Sequence, residues 1–157
     1  MSNPKPPTFD DTCLVRDTCL CLHLQRAARA IARRFDTAFR PLDLTNGQFS
    51  LLMSLNRPEP ATMRGVANLL AMDRTTLTAA LKPLERRGLV AVALDLADRR
   101  GRRLSLTPQG QHLLAAALPI WQREHGAIET TTFAGGNANR LRAELQALSS
   151  AAGSTKN

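Results

Sequence analysis

Apolar residues recur along this chain at spacings that predict six helices and one β-hairpin. Between Thr12 and Arg40 they alternate at intervals of three and four, which is typical of a long helix packed against other helices. Pro41 ends this helix. The same periodicity follows Thr45, Thr62 and Asp73, each of which is a good N-cap residue. The apolar stripe of the first helix consists of Cys21, Leu24, Ala28, Ile31, Phe35 and Ala38.

The hairpin is predicted from two short segments of different character. The run Leu89–Leu94 is apolar and rich in β-branched residues, and Arg103–Thr107 alternates between polar and apolar residues. Thr107 followed by Pro108 then favours the start of a second long helix, and Asn137 favours the start of a last one. The predicted fold class is therefore mainly α with a small β-hairpin.

Composition and charge point to a polyanionic partner. The chain has 157 residues, a net charge of +8 and a hydrophobic fraction of 43%, which suits one folded domain with an extension. Of the 21 basic residues only three are Lys, and Arg binds phosphate and base edges better than Lys. Nucleic acid is the first expected partner and an anionic membrane surface the second. The sequence contains neither an apolar run of about 20 residues nor an apolar signal core, so we expect a cytoplasmic protein.

A helix-turn-helix is predicted between Thr62 and Gly88. A short helix, the turn at Ala71 and Met72, and a second helix with small or basic residues on its outer face match this motif. An ordinary amphipathic surface helix would show the same pattern, but the basic hairpin that follows favours DNA binding. The residues of this motif expected to contact DNA are Arg64, Arg74, Thr75, Thr76, Thr78, Lys82 and Arg86.

The tip of the hairpin carries a cluster of arginines suited to a DNA groove. An arginine-bearing hairpin next to a helix-turn-helix is a wing, and arginine is favoured in narrow minor grooves. We expect Arg99, Arg100 and Arg102 to contact DNA, with Arg100 as the main groove contact. Gly101 is expected to form the turn and Asp98 to brace it, whereas the neighbouring Arg103 is the least expected to touch DNA.

Taken together, these segments resemble the MarR family of winged helix-turn-helix transcription regulators, over residues 13–148. The resemblance rests on the segment "ERRGLV" and on a signature formed by Asp98, Arg100, Leu106, Thr107 and Gly110. It implies a homodimeric regulator, most often a repressor, that binds a pseudo-palindromic operator in double-stranded DNA. It also implies a flexible arm at 1–11, a helical dimerisation region at 12–41 and 107–150, a winged helix-turn-helix at 42–106 and a flexible tail at 151–157.

Two kinds of signal could release such a regulator from DNA. The first is a small aromatic or phenolic ligand, for which the candidate binding residues are Arg16, His23, Arg26 and Arg40. The second is oxidation of Cys21, because this cysteine with Leu24 and Arg29 resembles the organic-hydroperoxide-sensing branch of the family. This chain departs from that branch because it contains no Tyr and has Gln25 four residues after Cys21. Simple packing of Cys21 in a helix interface is the alternative.

Other functions have weaker support in the sequence. A nonspecific architectural nucleic-acid-binding protein would explain the charge alone. A thiol enzyme would use Cys21 or Cys19 with His23, but residues two apart on a helix point about 200° from each other. The same geometry argues against a metal site or a disulfide at Cys19 and Cys21. We therefore expect no enzyme activity, no metal and no cofactor.

Overall fold

A computed structural model describes residues 5–96, 98, 101–133 and 137–153. The elements of these residues are, in chain order, α1 (Phe9–Thr18), α2 (Leu20–Phe39), a 3₁₀ turn (Arg40–Leu42), α3 (Asn46–Leu55), β1 (Ala61–Thr62), α4 (Met63–Leu69), α5 (Arg74–Arg86), β2 (Val90–Leu94), β3 (Arg102–Leu106), α6 (Pro108–Thr132) and α7 (Ala138–Gly153). Among these helices, none combines the length and the apolar character needed to span a lipid bilayer.

The prediction of one continuous helix from Thr12 to Arg40 is wrong. Helix α1 begins at Phe9, inside the predicted arm, because Thr8 and Asp11 form a reciprocal capping box. The backbone leaves the helical conformation at Cys19, which has φ −71° and ψ 107° and separates α1 from α2. Cys19 and Cys21 therefore do not lie on one regular helix. The argument that helix geometry keeps their sulfurs too far apart for a metal site or a disulfide assumed such a helix, so it no longer applies.

The chain divides into two compact units, residues 1–34 and 35–157. In the first unit, α1 has no buried residue, and the stripe residues Cys21, Leu24, Ala28 and Ile31 are exposed. The second unit holds the hydrophobic core, in which the rings of Phe35, Phe39 and Phe49 stack in sequence at 5.8 and 4.8 Å between centroids. The fully buried leucines around them come from α3, α5 and β3: Leu51, Leu52, Leu55, Leu77, Leu84 and Leu104.

Local capping interactions set the limits of the helix-turn-helix. Thr62 caps α4 and Asp73 caps α5 through side-chain oxygens that accept backbone N–H bonds three residues later. Helix α5 continues through Pro83 to Arg86, and the chain turns at Gly88, whose φ of +68° suits glycine. The amide of Leu89 then bonds the carbonyl of Leu84 at 3.0 Å, which completes a Schellman motif. The predicted boundaries of α5 are thus confirmed.

The predicted hairpin is confirmed to within one residue at its ends. Strands β2 and β3 pair antiparallel, with Val92 opposite Leu104. A third strand, β1, pairs with the other edge of β3 through Ala61 and gives the order β1-β3-β2. The sequence did not predict β1, because two residues are too few to show an alternating pattern. The resulting sheet attaches the wing to the segment that precedes the helix-turn-helix.

Candidate nucleic-acid interface

Helix α5 presents a polar, basic face opposite the side that it buries. Leu77, Leu81 and Leu84 are buried in the core. At about 100° per residue, Thr75, Lys82 and Arg86 fall within roughly 40° of one another on the opposite side. All of the α5 residues predicted to contact DNA are exposed, namely Arg74, Thr75, Thr76, Thr78, Lys82 and Arg86. The face is long enough and sufficiently free of bulky apolar groups to enter a major groove.

The three threonines on this helix differ in what they can offer to a base. The hydroxyl of Thr76 donates to Asp73 Oδ2 at 2.6 Å, and that of Thr78 donates to the carbonyl of Arg74 at 2.7 Å. Both can still accept a hydrogen bond, but their protons are already used. The bonds from Thr76 lower the pKa of Asp73 below its usual value, so this cap remains ionised at neutral pH. Among the described residues Thr75 is the exposed threonine of this face whose hydroxyl proton is not used in this way.

The wing is held by an acid that the sequence reasoning missed. Asp95 is buried, and its Oδ2 accepts from Arg103 Nε at 2.8 Å. Arg103 Nη1 also donates to the carbonyl of Pro60 at 3.3 Å, which ties the wing to the segment before β1. The side-chain ion pair lies on one face of the hairpin, because residues 95 and 103 are close in the β2–β3 register. Arg103 is therefore engaged within the protein, in line with its predicted distance from DNA.

The turn at the tip is closed by backbone contacts. The amide of Gly101 donates to the carbonyl of Asp98 at 2.7 Å, and the amide of Asp95 donates to the carbonyl of Gly101 at 3.2 Å. A Cβ at Gly101 would lie 3.0 Å from the Asp98 carbonyl oxygen, so a side chain there would force a shift. The main-chain carbonyl of Asp98 thus takes part in the turn, and a bracing role for its side chain stays a prediction. The predicted DNA contacts Arg99 and Arg100 lie outside the described residues, whereas Arg102 is exposed.

A single concavity of about 630 Å³ joins α4, the start of α5 and the wing. Three of the predicted DNA-contacting arginines, Arg64, Arg74 and Arg102, line it together although they come from different elements. Three carboxylates, those of Asp73, Asp95 and Asp98, line it as well. A separate surface depression on α5 is lined by Lys82, Glu85 and Arg86. Glu85, the acidic residue of this depression, was not among the residues predicted for the interface. Its position directly before Arg86 was the signal in the sequence that could have placed it there.

Two of the candidate effector residues, Arg16 and His23, both contact Asp17. Arg16 pairs with Asp17 at 2.6 Å, and His23 Nε2 lies 3.2 Å from the carbonyl of Asp17. Arg26 and Arg40 are exposed, and Arg40 belongs to the second unit. In that part of the chain for which coordinates are described, no three His, Cys, Asp or Glu side chains cluster as metal ligands.

Cys21 is exposed, and the residue four positions later contacts its sulfur. Gln25 Nε2 donates to Cys21 Sγ at 3.1 Å, so an amide here stands where a tyrosine was expected from the hydroperoxide-sensing branch. Arg29 in turn donates to Gln25 Oε1 at 3.1 Å. A short hydrogen-bonded chain therefore leads from the guanidinium of Arg29 to the thiol.

An apolar pocket that the sequence reasoning missed lies in the second unit, between α3, α4 and α6. Its volume is about 380 Å³, and no charged side chain lines it. The ring of Trp121 at its wall is stacked on His125 at 4.6 Å between centroids. Several lining residues are four positions apart on α3 or three positions apart on α6. The same spacings occur in any helix that packs in a core, so they do not reveal a pocket. The lining consists of Phe49, Ser50, Met53, Ser54, Leu69, Leu70, Leu118 and Trp121.

Comparison with known proteins assigns this architecture to one family. A family model described as "MarR family" matches residues 44–101. The organic hydroperoxide resistance transcriptional regulator of Bacillus subtilis is 30% identical over 101 residues, which are 64% of this chain and 69% of that protein. The aligned segments cover between 50% and 69% of curated relatives such as these.

Solved structures cover more of the chain. The transcriptional regulator MosR of M. tuberculosis in complex with DNA has a TM-score of 0.79 and 34% identity, covering 88% of this chain and 99% of that one. The repressor CouR bound to a 23-mer DNA duplex has a TM-score of 0.70 and 30% identity, covering 88% and 95%. A further CouR structure, at 26% identity, holds p-coumaroyl-CoA. These proteins are regulators rather than enzymes, and this chain belongs to the MarR family of winged helix-turn-helix transcriptional regulators that bind DNA.

Proposed function

We propose that this protein is a repressor that binds a pseudo-palindromic operator as a homodimer. The observation that carries the proposal is the shared concavity in which Arg64, Arg74 and Arg102 converge from α4, α5 and the wing. Helix α5 reads base edges in a major groove through its exposed face, and the wing lies over the adjacent minor groove. Arg100 is the proposed main contact of the wing. The full set of proposed DNA contacts is Arg64, Arg74, Thr75, Thr76, Thr78, Lys82, Arg86, Arg99, Arg100 and Arg102.

The second copy of the chain is the proposed partner of the exposed apolar stripe on α2. Leu24 is 38% exposed and Ile31 is 44% exposed, although both belong to the stripe that also contains the buried Phe35. Leu141 and Leu148 on α7 are similarly exposed. Twofold assembly would cover these residues and place two winged helix-turn-helix lobes at half-sites one helical turn apart.

Selection of binding sites from random duplexes, followed by footprinting, tests this function. We expect one pseudo-palindrome protected over roughly 20 bp, with affinity falling steeply as the salt concentration rises. Light scattering should give twice the chain mass. Equal binding to random duplexes at physiological salt would instead support a nonspecific architectural protein, and a monomeric complex would contradict the dimer.

The wing contact is tested separately. We expect Arg100→Ala to weaken operator binding by about 1–3 kcal/mol with the dimer still folded. An unchanged operator affinity would contradict this assignment.

We infer that the releasing signal is a small aromatic ligand bound in the apolar pocket. The pocket volume of about 380 Å³ suits one aromatic molecule, and Trp121 and Phe49 provide flat apolar surfaces. Because its lining contains no basic side chain, a neutral phenol fits better than a carboxylate. The candidates Arg16, His23, Arg26 and Arg40 are then unnecessary for binding. CouR provides a precedent in the family, since its structure holds p-coumaroyl-CoA.

The alternative signal is oxidation of Cys21. It is supported by the exposure of the thiol, by the hydrogen bond from Gln25 and by the similarity to the hydroperoxide resistance regulator. Operator release in the presence of an organic hydroperoxide or of a panel of phenols and aromatic acids separates the two signals. Release by a phenol that is lost in Leu118→Trp but retained in Cys21→Ser supports the pocket, and the reverse pattern supports the thiol.

A further inference from the structure

The wing exposes two leucines beside its basic residues. Leu94 is 60% exposed at the end of β2, and Leu96 is 100% exposed in the loop that follows. Leu94 lies opposite the exposed Arg102 in the β2–β3 register. Single exposed leucines are common on protein surfaces, so exposure alone does not indicate a function. Leu96 differs from such residues because it follows β2 in the wing, which is proposed to contact DNA.

The residue between the two leucines is fixed. Asp95 is buried, its carboxylate pairs with Arg103 at 2.8 Å, and its amide bonds the carbonyl of Gly101 at 3.2 Å. Gly101 in turn bonds Asp98 and closes the turn. A side chain that separates stacked bases must be supported from behind, because the bases resist unstacking by a few kcal/mol. The anchored Asp95 gives the adjacent Leu96 this support.

We propose that Leu96 is an apolar wedge that inserts from the minor groove against a base step of the operator. The proposal rests on the proposed placement of the wing over the minor groove. Leucine is among the residues that other minor-groove proteins insert between base pairs, and pyrimidine–purine steps open most easily. The occupant is DNA rather than a protein surface, because the neighbouring Leu94 lies opposite the exposed Arg102 and the exposed face of α5 carries Arg74, Lys82 and Arg86. These cations complement the phosphates on both sides of a minor groove.

The wedge gives the protein a preference for easily deformed operator sequences, which hydrogen bonds to base edges do not provide. We expect the wild-type protein to bend its operator and to prefer TA or CA steps over a stiff A-tract where the wing lies. Leu96→Ala should lose this preference and most of the bend, and should bind about ten- to a hundredfold more weakly, the size expected for burial of one leucine. Leu96→Met keeps a long apolar side chain and should retain both bend and preference.

The test compares these variants on operator duplexes labelled at both ends, so that energy transfer reports the bend. Binding is measured at fixed salt, and 2-aminopurine at the wing position reports base unstacking. Leu94→Ala, which removes the other exposed leucine of the wing, serves as the matched control and should bend DNA like the wild type. Since Leu96 is fully exposed, its variants should keep the wild-type melting temperature.

Two results would overturn the wedge. One is unchanged affinity and bending in Leu96→Ala, and the other is weaker binding with the bend and the 2-aminopurine signal retained. Arg102→Ala, measured in parallel, separates this failure from failure of the proposed function. If Arg102→Ala weakens binding while Leu96→Ala does not, the wing contacts DNA without a wedge. If neither change has an effect, the placement of the wing itself is wrong.

Discussion

Replacing Arg103 with methionine removes the guanidinium that pairs with Asp95 and keeps a side chain of similar length. The carboxylate of Asp95, buried next to the turn of the wing, then loses its ion pair with Arg103. Removing one member of a fully buried pair costs about 3–5 kcal/mol, whereas an exposed pair contributes about 0–1 kcal/mol. Here the Asp95 side chain is 11% exposed and that of Arg103 is 39% exposed, so water reaches one partner. We therefore expect a loss of about 1–3 kcal/mol of unfolding free energy.

Thermal and urea unfolding measure this loss directly. For a chain of this size each kcal/mol shifts the melting temperature by about 2–4 °C, so Arg103→Met should melt about 2–12 °C lower. The double variant Asp95→Asn, Arg103→Met should regain part of the loss, because the buried charge is gone. Arg102→Met is the matched control: its side chain is exposed, and its melting temperature should stay within about 1 °C of the wild type.

The same pair of variants separates a structural arginine from a DNA-contacting one. The slope of log affinity against log salt reports the number of phosphate contacts, and it should fall by about one in Arg102→Met and stay unchanged in Arg103→Met. The reasoning is refuted if Arg103→Met is as stable as the wild type and its salt slope falls. In that case the guanidinium of Arg103 would contact DNA rather than Asp95.

Two further predictions concern α6 and the cap of α5. A Cβ at Gly110 would collide with the carbonyl oxygen of Leu89, so Gly110→Ala should lower the free energy of unfolding in urea by at least about 1–3 kcal/mol. A Cβ at Gly126 would meet nothing within 4 Å, so Gly126→Ala should raise the free energy of unfolding by about 0.5–1 kcal/mol. Equal effects of the two changes would contradict the packing. The hydrogen bonds from Thr76 lower the pKa of Asp73 in the folded protein below its unfolded value of about 4. The ionised carboxylate therefore contributes to stability above pH 4, and this contribution is lost as the pH falls through the pKa of the folded state. Asn in the variant Asp73→Asn also caps a helix but carries no charge. The melting temperature of the wild type should therefore exceed that of the variant by less and less as the pH falls from about 4 to about 2. A difference that grows over this range would contradict the predicted direction of the pH dependence.

The winged helix-turn-helix could be predicted from sequence because its boundaries are set by local interactions. Thr45, Thr62, Asp73 and Thr107 each bond a backbone amide three residues later, and such bonds need no information from elsewhere in the chain. Gly88 ends α5 for an equally local reason, its positive φ. The cap at Thr8 belongs to the same class, so the beginning of α1 could have been found by the same rule.

The tertiary structure decided which residues of the wing hold it together. Asp95 and Arg103 are eight residues apart, and they meet only because β2 and β3 pair in one particular register; Pro60 joins them through a contact across 43 residues. Spacing along the chain cannot reveal such partners, because many registers are compatible with the same alternation of polar and apolar residues.

By itself, the sequence determined the family, the order of the helices and the hairpin, and the basic face of α5, because periodicity and capping are properties of neighbouring residues. Only the tertiary structure showed that Arg64, Arg74 and Arg102 share one concavity, that Arg103 is engaged with Asp95 and that an uncharged pocket lies beside Trp121. Each of these depends on distant segments packing together, and the free energy of that packing is distributed over contacts that no single stretch of the chain contains.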